Sequence, residues 1–155
     1  MTFDDFQSLG RYFLWSDQLK EEFEEALRDE PHDDAPKTRE WFGGRTAVFL
    51  SHWLASLYVV VEGYRSQQLY DESVEDLLKS PHADLLRRYR NGVFHFQADY
   101  WDDRFIDWFD VPTVDWSTAL HRALHEFILA LGIALRGTSP DRDEKLMKFM
   151  RAGQR

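Results

Sequence analysis

The sequence predicts an all-α fold, a single bundle of about four to five main helices with short connections. Three observations carry this expectation. Apolar residues recur at three- and four-residue spacing over long stretches, as on one face of a helix. The alternation expected of a strand is confined to VFHFQ, residues 93–97. Helix-capping residues and prolines punctuate the periodic stretches, as in Ser80-Pro81 and Ser139-Pro140.

Residues 3–28 read as an amphipathic helix. Phe6, Leu9, Phe13, Phe23 and Leu27 form its apolar face, and Glu21, Glu22, Glu24 and Glu25 point away. Two prolines, Pro31 and Pro36, bracket polar turn formers and break the chain. A long second helix is expected from Thr38 to about Leu69, with an interruption at Gly43-Gly44. Phe49, Trp53, Leu57, Val61 and Tyr64 share one face, and Leu50, Leu54 and Val60 widen it. A helix apolar over most of its circumference belongs at the centre. A short third helix follows at Ser73–Lys79. Ser80 as N-cap and Pro81 at the first helical position open a helix expected to run to Gln97. An acidic and aromatic connection, DYWDDRFIDWFDVPTVDW over residues 99–116, has room for a helical turn or two. Asp115 caps a last main helix through Arg136, with Leu120, Leu124, Phe127 and Leu131 as its core face and Gly137 as its stop. A short charged tail helix is expected at about 140–150. The whole of 1–155 reads as one domain with its core in about 3–136. The central helix is expected to lie on one side of the Ser80–Gln97 helix and the last main helix on the other.

Composition narrows the function. Aromatics make up 15% of the chain, with six Trp. Such rings are buried against one another or lie at interfaces. The chain has no cysteine, so disulfides and thiolate metal sites are excluded and a reducing cytoplasm is the expected compartment. The start, MTFDDFQSLG, carries acids where a signal peptide needs lysines. The longest nearly apolar run, Ala47–Val61, is short for a bilayer and stops at Glu62, so no membrane association is expected. The net charge is −9. That argues against broad, tight nucleic-acid binding, which relies on neutralising phosphates, but leaves room for a small basic site.

The stretch LLRRYRNGVFHFQ, residues 85–97, is unusual for a core helix. On an ideal helix Leu86, Tyr89, Val93 and Phe96 would be buried, while Asp84, Arg88, Asn91 and His95 would form a polar stripe opposite. Arg90 would sit about 140° from His95. The two could meet on one substrate only if Gly92 distorts the helix, the arginine curls over, or a second subunit brings them together. An ordinary polar face with a chance histidine is the plainer account of periodicity alone. Yet YRNGVFHF resembles the signature of the HEPN superfamily of small helical domains, an Arg followed by a polar residue, often Asn, and then a His. Here it reads Arg90-Asn91-x-x-x-His95, the shortest spacing of that pattern, on a capped helix late in a helical chain. The resemblance implies that Arg90, Asn91 and His95 form a catalytic group. It also implies a metal-independent ribonuclease without a cofactor, of the kind found in toxin–antitoxin and other defence systems. Other members of that superfamily are non-catalytic interaction modules.

The residue types suit RNA cleavage. RNA carries its own nucleophile in the 2′-OH. A histidine moves protons near neutral pH, and a forked guanidinium meets charge building on phosphate. Asn91 could orient either group. One histidine serves poorly as both acid and base in one step, so a homodimer uniting two copies of His95 and Arg90 in one cleft is expected. The expected partners are RNA, a second copy of the chain, and an antitoxin or regulatory protein. The alternative is a helical dimer that binds a protein partner, or a ligand among its tryptophans, and catalyses nothing.

Other constellations read more plainly. His121 and His125, one turn apart, could share a metal. HRALH lacks the Glu of HExxH, however, and no third ligand is evident, so a helix edge accounts for them. Asp99, Asp102, Asp103, Asp107 and Asp110 have no EF-hand spacing. Gly43-Gly44-Arg45-Thr46 lacks the phosphate-loop pattern. Glu62 and Arg65 are candidates for a buried ion pair on the central helix, although a residue from this helix could line the cleft.

Overall fold

A computed structural model describes residues 3–29, 43–109 and 113–135 of the chain. Among them every regular element is a helix. These are α1 (Phe3–Asp29), α2 (Arg45–Ser66), α3 (Glu72–Leu78), α4 (His82–Phe94), α5 (Asp103–Phe109) and α6 (Thr113–Leu135). The expected all-α bundle is what the chain forms. The expected helical start at Thr38, the stop at Gly137 and the tail helix at 140–150 lie outside the described residues.

Helix α1 opens with Asp4 and Asp5 and ends with Arg28, charges that oppose the helix dipole at each end. Its Leu9, Phe13, Phe23 and Ala26 are buried along α2. Leu27, expected on the core face, is half exposed because Ala26 takes the buried position beside it. Helix α2 follows Gly44, whose extended backbone marks the break expected at the glycine pair. It is the central helix. Trp53, Leu54, Leu57, Val60, Val61 and Tyr64 are almost completely buried. By length and composition α2 and α6 are each long and apolar enough to cross a membrane. Most of the apolar window of α2 is buried against its neighbours, the pattern of a core helix, whereas that of α6 is mostly exposed.

The turn from α2 into α3 is closed from both sides. Gln68 takes a left-handed conformation (φ 54°). The Leu69 N–H returns to the Tyr64 carbonyl, and the Gln68 N–H to that of Arg65, the pairing that satisfies orphan carbonyls at a helix end. The Tyr64 hydroxyl then accepts from the Asp71 N–H at 2.8 Å and donates to Glu75 at 3.0 Å. Burial is the main cause that pushes the Tyr64 phenol up to about 12, so it stays protonated and keeps donating. Asp71 caps α3 by accepting from the Val74 N–H.

Helix α4 packs against α2 and carries α5 on its other flank, while α6 lies against α3 and α1. The expected place of α6 along α4 is taken largely by α5, although His82 at the start of α4 still meets Trp116 of α6 at 5.5 Å. The acidic and aromatic connection folds into α5, and its rings fill that place. Phe105 and Trp108 meet Tyr89 at ring separations of 5.5 and 5.4 Å. Arg88 pairs with Asp107 at 2.6 Å, and Gly92 receives the Phe105 ring, where a Cβ would lie 3.0 Å from it. Helix α6 begins at Thr113, two residues before the expected cap, with the Thr113 hydroxyl donating to the Trp108 carbonyl.

Trp53 is the hub of the core. It stacks on Phe23 of α1 at 5.5 Å and donates its indole N–H to His121 of α6. Trp53→Ala is expected to cost ~3–5 kcal/mol of stability, the usual range for removing a buried Trp. Thermal or denaturant unfolding checks this, and an unchanged midpoint would contradict the hub assignment.

Candidate active site

His95 does not continue the polar stripe of α4. The helix ends at Phe94, and His95 is its C-cap in an extended conformation (φ −124°, ψ 133°). The expected extension to Gln97 is corrected, and so is the buried place given to Phe96, which is 94% exposed. The cause is local. The Gln97 side chain folds back, donating from Nε2 to the His95 carbonyl at 2.6 Å and to the Asn91 carbonyl at 3.5 Å. Its Oε1 accepts from Arg104 of α5 at 2.6 Å. Phe105 and Trp108 supply the rings that pack on Tyr89 instead. Gln97 thus sets the path of the His95 backbone, a role that no local pattern announces.

Arg90 is held inside the bundle surface. Its guanidinium donates to Glu62 of α2 at 2.8 Å and to the Asn91 carboxamide oxygen at 3.0 Å. The expected Glu62–Arg65 pair is replaced by Glu62–Arg90, and Arg65 is exposed. The Arg90 Nε is buried and has no partner among the described residues. Arg90 and Asn91 are therefore joined directly.

His95 faces a different space. A groove of about 350 Å³ runs between α2 and the end of α4, lined by Ser51, His52, Gly92, His95, Phe96 and Phe105 among others. Arg90 and Asn91 are not on its wall. Within one chain the structure thus separates the arginine and asparagine from the histidine. The groove brings in His52 instead, on α2, whose Nδ1 lies 2.8 Å from the Val48 carbonyl. A carbonyl only accepts, so that nitrogen carries the proton and Nε2 is left as an acceptor. Below His52, Ser51 and Tyr89 share a hydrogen bond of 2.8 Å, and burial pushes the Tyr89 phenol up to about 12. The sequence singled out no role for His52, which falls within the nearly apolar run Ala47–Val61.

His121 and His125 do not form a joint site. His121 is buried, receives the Trp53 indole N–H on Nδ1 at 3.2 Å and lies 2.9 Å from Asp17 through Nε2. The indole only donates, so the proton sits on Nε2 and is given to Asp17. His125 is exposed and stacks on Phe13. No group of three or more His, Asp or Glu side chains among the described residues is placed to hold a metal. Between α1 and α6 lies a larger groove of about 880 Å³, lined among others by Leu14, Trp15, Asp17, His125, Leu129 and Ile133.

Burial, opposed by Asp17, lowers the His121 pKa below its usual 6.5. The unfolded chain therefore takes up a proton near pH 6.5 that the folded chain refuses. The stability contributed by neutral His121 is complete above that pH and is lost progressively as pH falls below it. Melting temperatures of the wild type and His121→Gln at pH 7.5 and 5.5 test this. The amide can still accept from Trp53 and donate to Asp17, so the variant should lose less on acidification. Comparison with family models, curated proteins and solved structures finds no match to this chain.

Proposed function

We propose that the chain is a HEPN-like, metal-independent endoribonuclease that works as a two-fold dimer in the cytoplasm, under the control of an antitoxin or other regulatory protein. The observation that carries the reading is the motif itself. Arg90 and Asn91 are hydrogen-bonded to each other on α4, and His95 stands just beyond the helix on the wall of an open groove. In the reaction the RNA 2′-OH attacks its own phosphodiester, His95 moves a proton, and Arg90 meets the charge that builds on the phosphate.

Arg90 must exchange Glu62 for phosphate. The pair is partly exposed, with Glu62 43% accessible. Such pairs contribute about 0–1 kcal/mol, an obstacle that a phosphodiester can overcome. Because Arg90 lies off the His95 groove, the reading assigns the arginine of one chain to the groove of the other.

A second reading, a non-catalytic interaction module, draws on two observations. Glu62 already neutralises Arg90, and the α1–α6 groove exposes Leu14, Trp15, Leu129 and Ile133 together. An apolar surface of that kind suits a protein partner.

Labelled RNA incubated with the protein in EDTA should yield 2′,3′-cyclic phosphate and 5′-OH ends, and a 2′-deoxy group at the cut should block cleavage. His95→Ala and Arg90→Ala should each lose at least ~10²-fold while staying folded. Mixed in equal amounts, those two variants should regain about one quarter of the wild-type sites through hybrid dimers. Absence of cleavage across diverse RNAs would favour the interaction module. Cleavage that requires Mg²⁺ and leaves 5′-phosphate would overturn the mechanism.

A further inference from the structure

We infer that His52 is a second catalytic histidine and that each chain carries its own acid–base pair, His52 with His95, on a groove built for single-stranded RNA. This rests on the ribonuclease reading above and extends it to a residue outside the motif. Three observations converge. Both histidines line one groove. The Val48 carbonyl fixes the His52 tautomer, so Nε2 carries the lone pair. Neither His52 Nε2 nor the His95 ring has a hydrogen-bond partner among the described residues, so both remain available to a ligand.

The other polar groups of the groove are less suited. Tyr89 is buried, with its hydroxyl engaged by Ser51. Asp99, also on the wall, accepts the Trp101 N–H at 2.9 Å. The His52 Nε2 lone pair, unengaged among the described residues, points to base chemistry.

The groove also suggests its ligand. Phe96 lines the groove and stands almost fully in solvent, and Tyr100, also on its lining, is half exposed. An aromatic ring left in water beside a pair of histidines is a stacking platform for an unpaired base. A duplex, with its bases already stacked on one another, has no use for it. The step balances within one chain. His52 Nε2 takes the 2′-OH proton as the O2′–P bond forms. His95, as imidazolium, gives its proton to O5′ as the P–O5′ bond breaks. The two proton states then reset by exchange with water.

The assignment is tested on full-length protein with two substrates, single-stranded RNA and a uridine 3′-(p-nitrophenyl phosphate), whose aryloxide leaves without a proton. On RNA, His52→Ala and His95→Ala should each fall by at least ~10²-fold. On the aryl ester, His95→Ala should recover most of its activity, because the acid is dispensable, and His52→Ala should not. Mixing His52→Ala with His95→Ala should restore nothing, because both groups act in the same groove. Phe96→Ala should raise KM for single-stranded RNA more than it lowers kcat. Circular dichroism confirms that each variant is folded. RNA cleavage by His52→Ala at the wild-type rate would overturn the pair and leave the ribonuclease reading intact, as would restored activity in the mixture. Failure of the wild type to cleave any RNA would overturn both.

Discussion

The indole N–H of Trp53, buried at the middle of α2, points at the Nδ1 atom of His121 on α6, and the far side of that imidazole reaches Asp17 on α1. One chain of two hydrogen bonds therefore ties the three longest helices together across the core. It works only with a neutral imidazole of a single tautomer, because a protonated Nδ1 would confront the indole donor. Phe13 lies against one side of the His121 ring and Phe23 against Trp53, so the polar contact is sealed among aromatic rings. Buried polar groups in such a setting are costly unless satisfied, and the same satisfaction fixes the register of α1 and α6 on α2.

The candidate site depends on that frame indirectly. Helix α2 supplies Glu62 to Arg90, the hydroxyl of Ser51 to Tyr89, and the His52 ring to the groove. These residues lie on one helix and bear on successive parts of α4. Rotation of α2 would disturb all of them at once. The Trp53 contact, on the same helix beside His52, resists such a rotation.

The fold was legible because its signal is periodic. Trp53, Leu57, Val61 and Tyr64 announce a central helix by spacing alone, and all four are buried. The site was legible only in part. Arg90 and Asn91 fall on α4 as expected, but an ideal helix could not foretell that His95 leaves it. That departure is decided by Gln97 reaching back and by Phe105 and Trp108 arriving from a segment with no clear periodicity. Glu62 was visible as a buried acid but given the wrong partner, because a same-helix neighbour is easier to see than an arginine 28 residues away. His52 was hidden by the apolar residues around it. A histidine in such a run looks like a core residue until the facing element is known.

Gly92 has a mechanical consequence. The Phe105 ring rests where a side chain at 92 would begin, and the Arg104 Cβ is 3.3 Å from the same point. Both Gly92 and Phe105 form part of the groove wall, while Arg88–Asp107 and Tyr89–Trp108 clamp the same two helices a turn away. The width of the groove and the seating of α5 are thus a single degree of freedom. A methyl group added at position 92 could not reshape one without prising at the other, so this stretch of α4 behaves as a spacer whose thickness is set by a hydrogen atom.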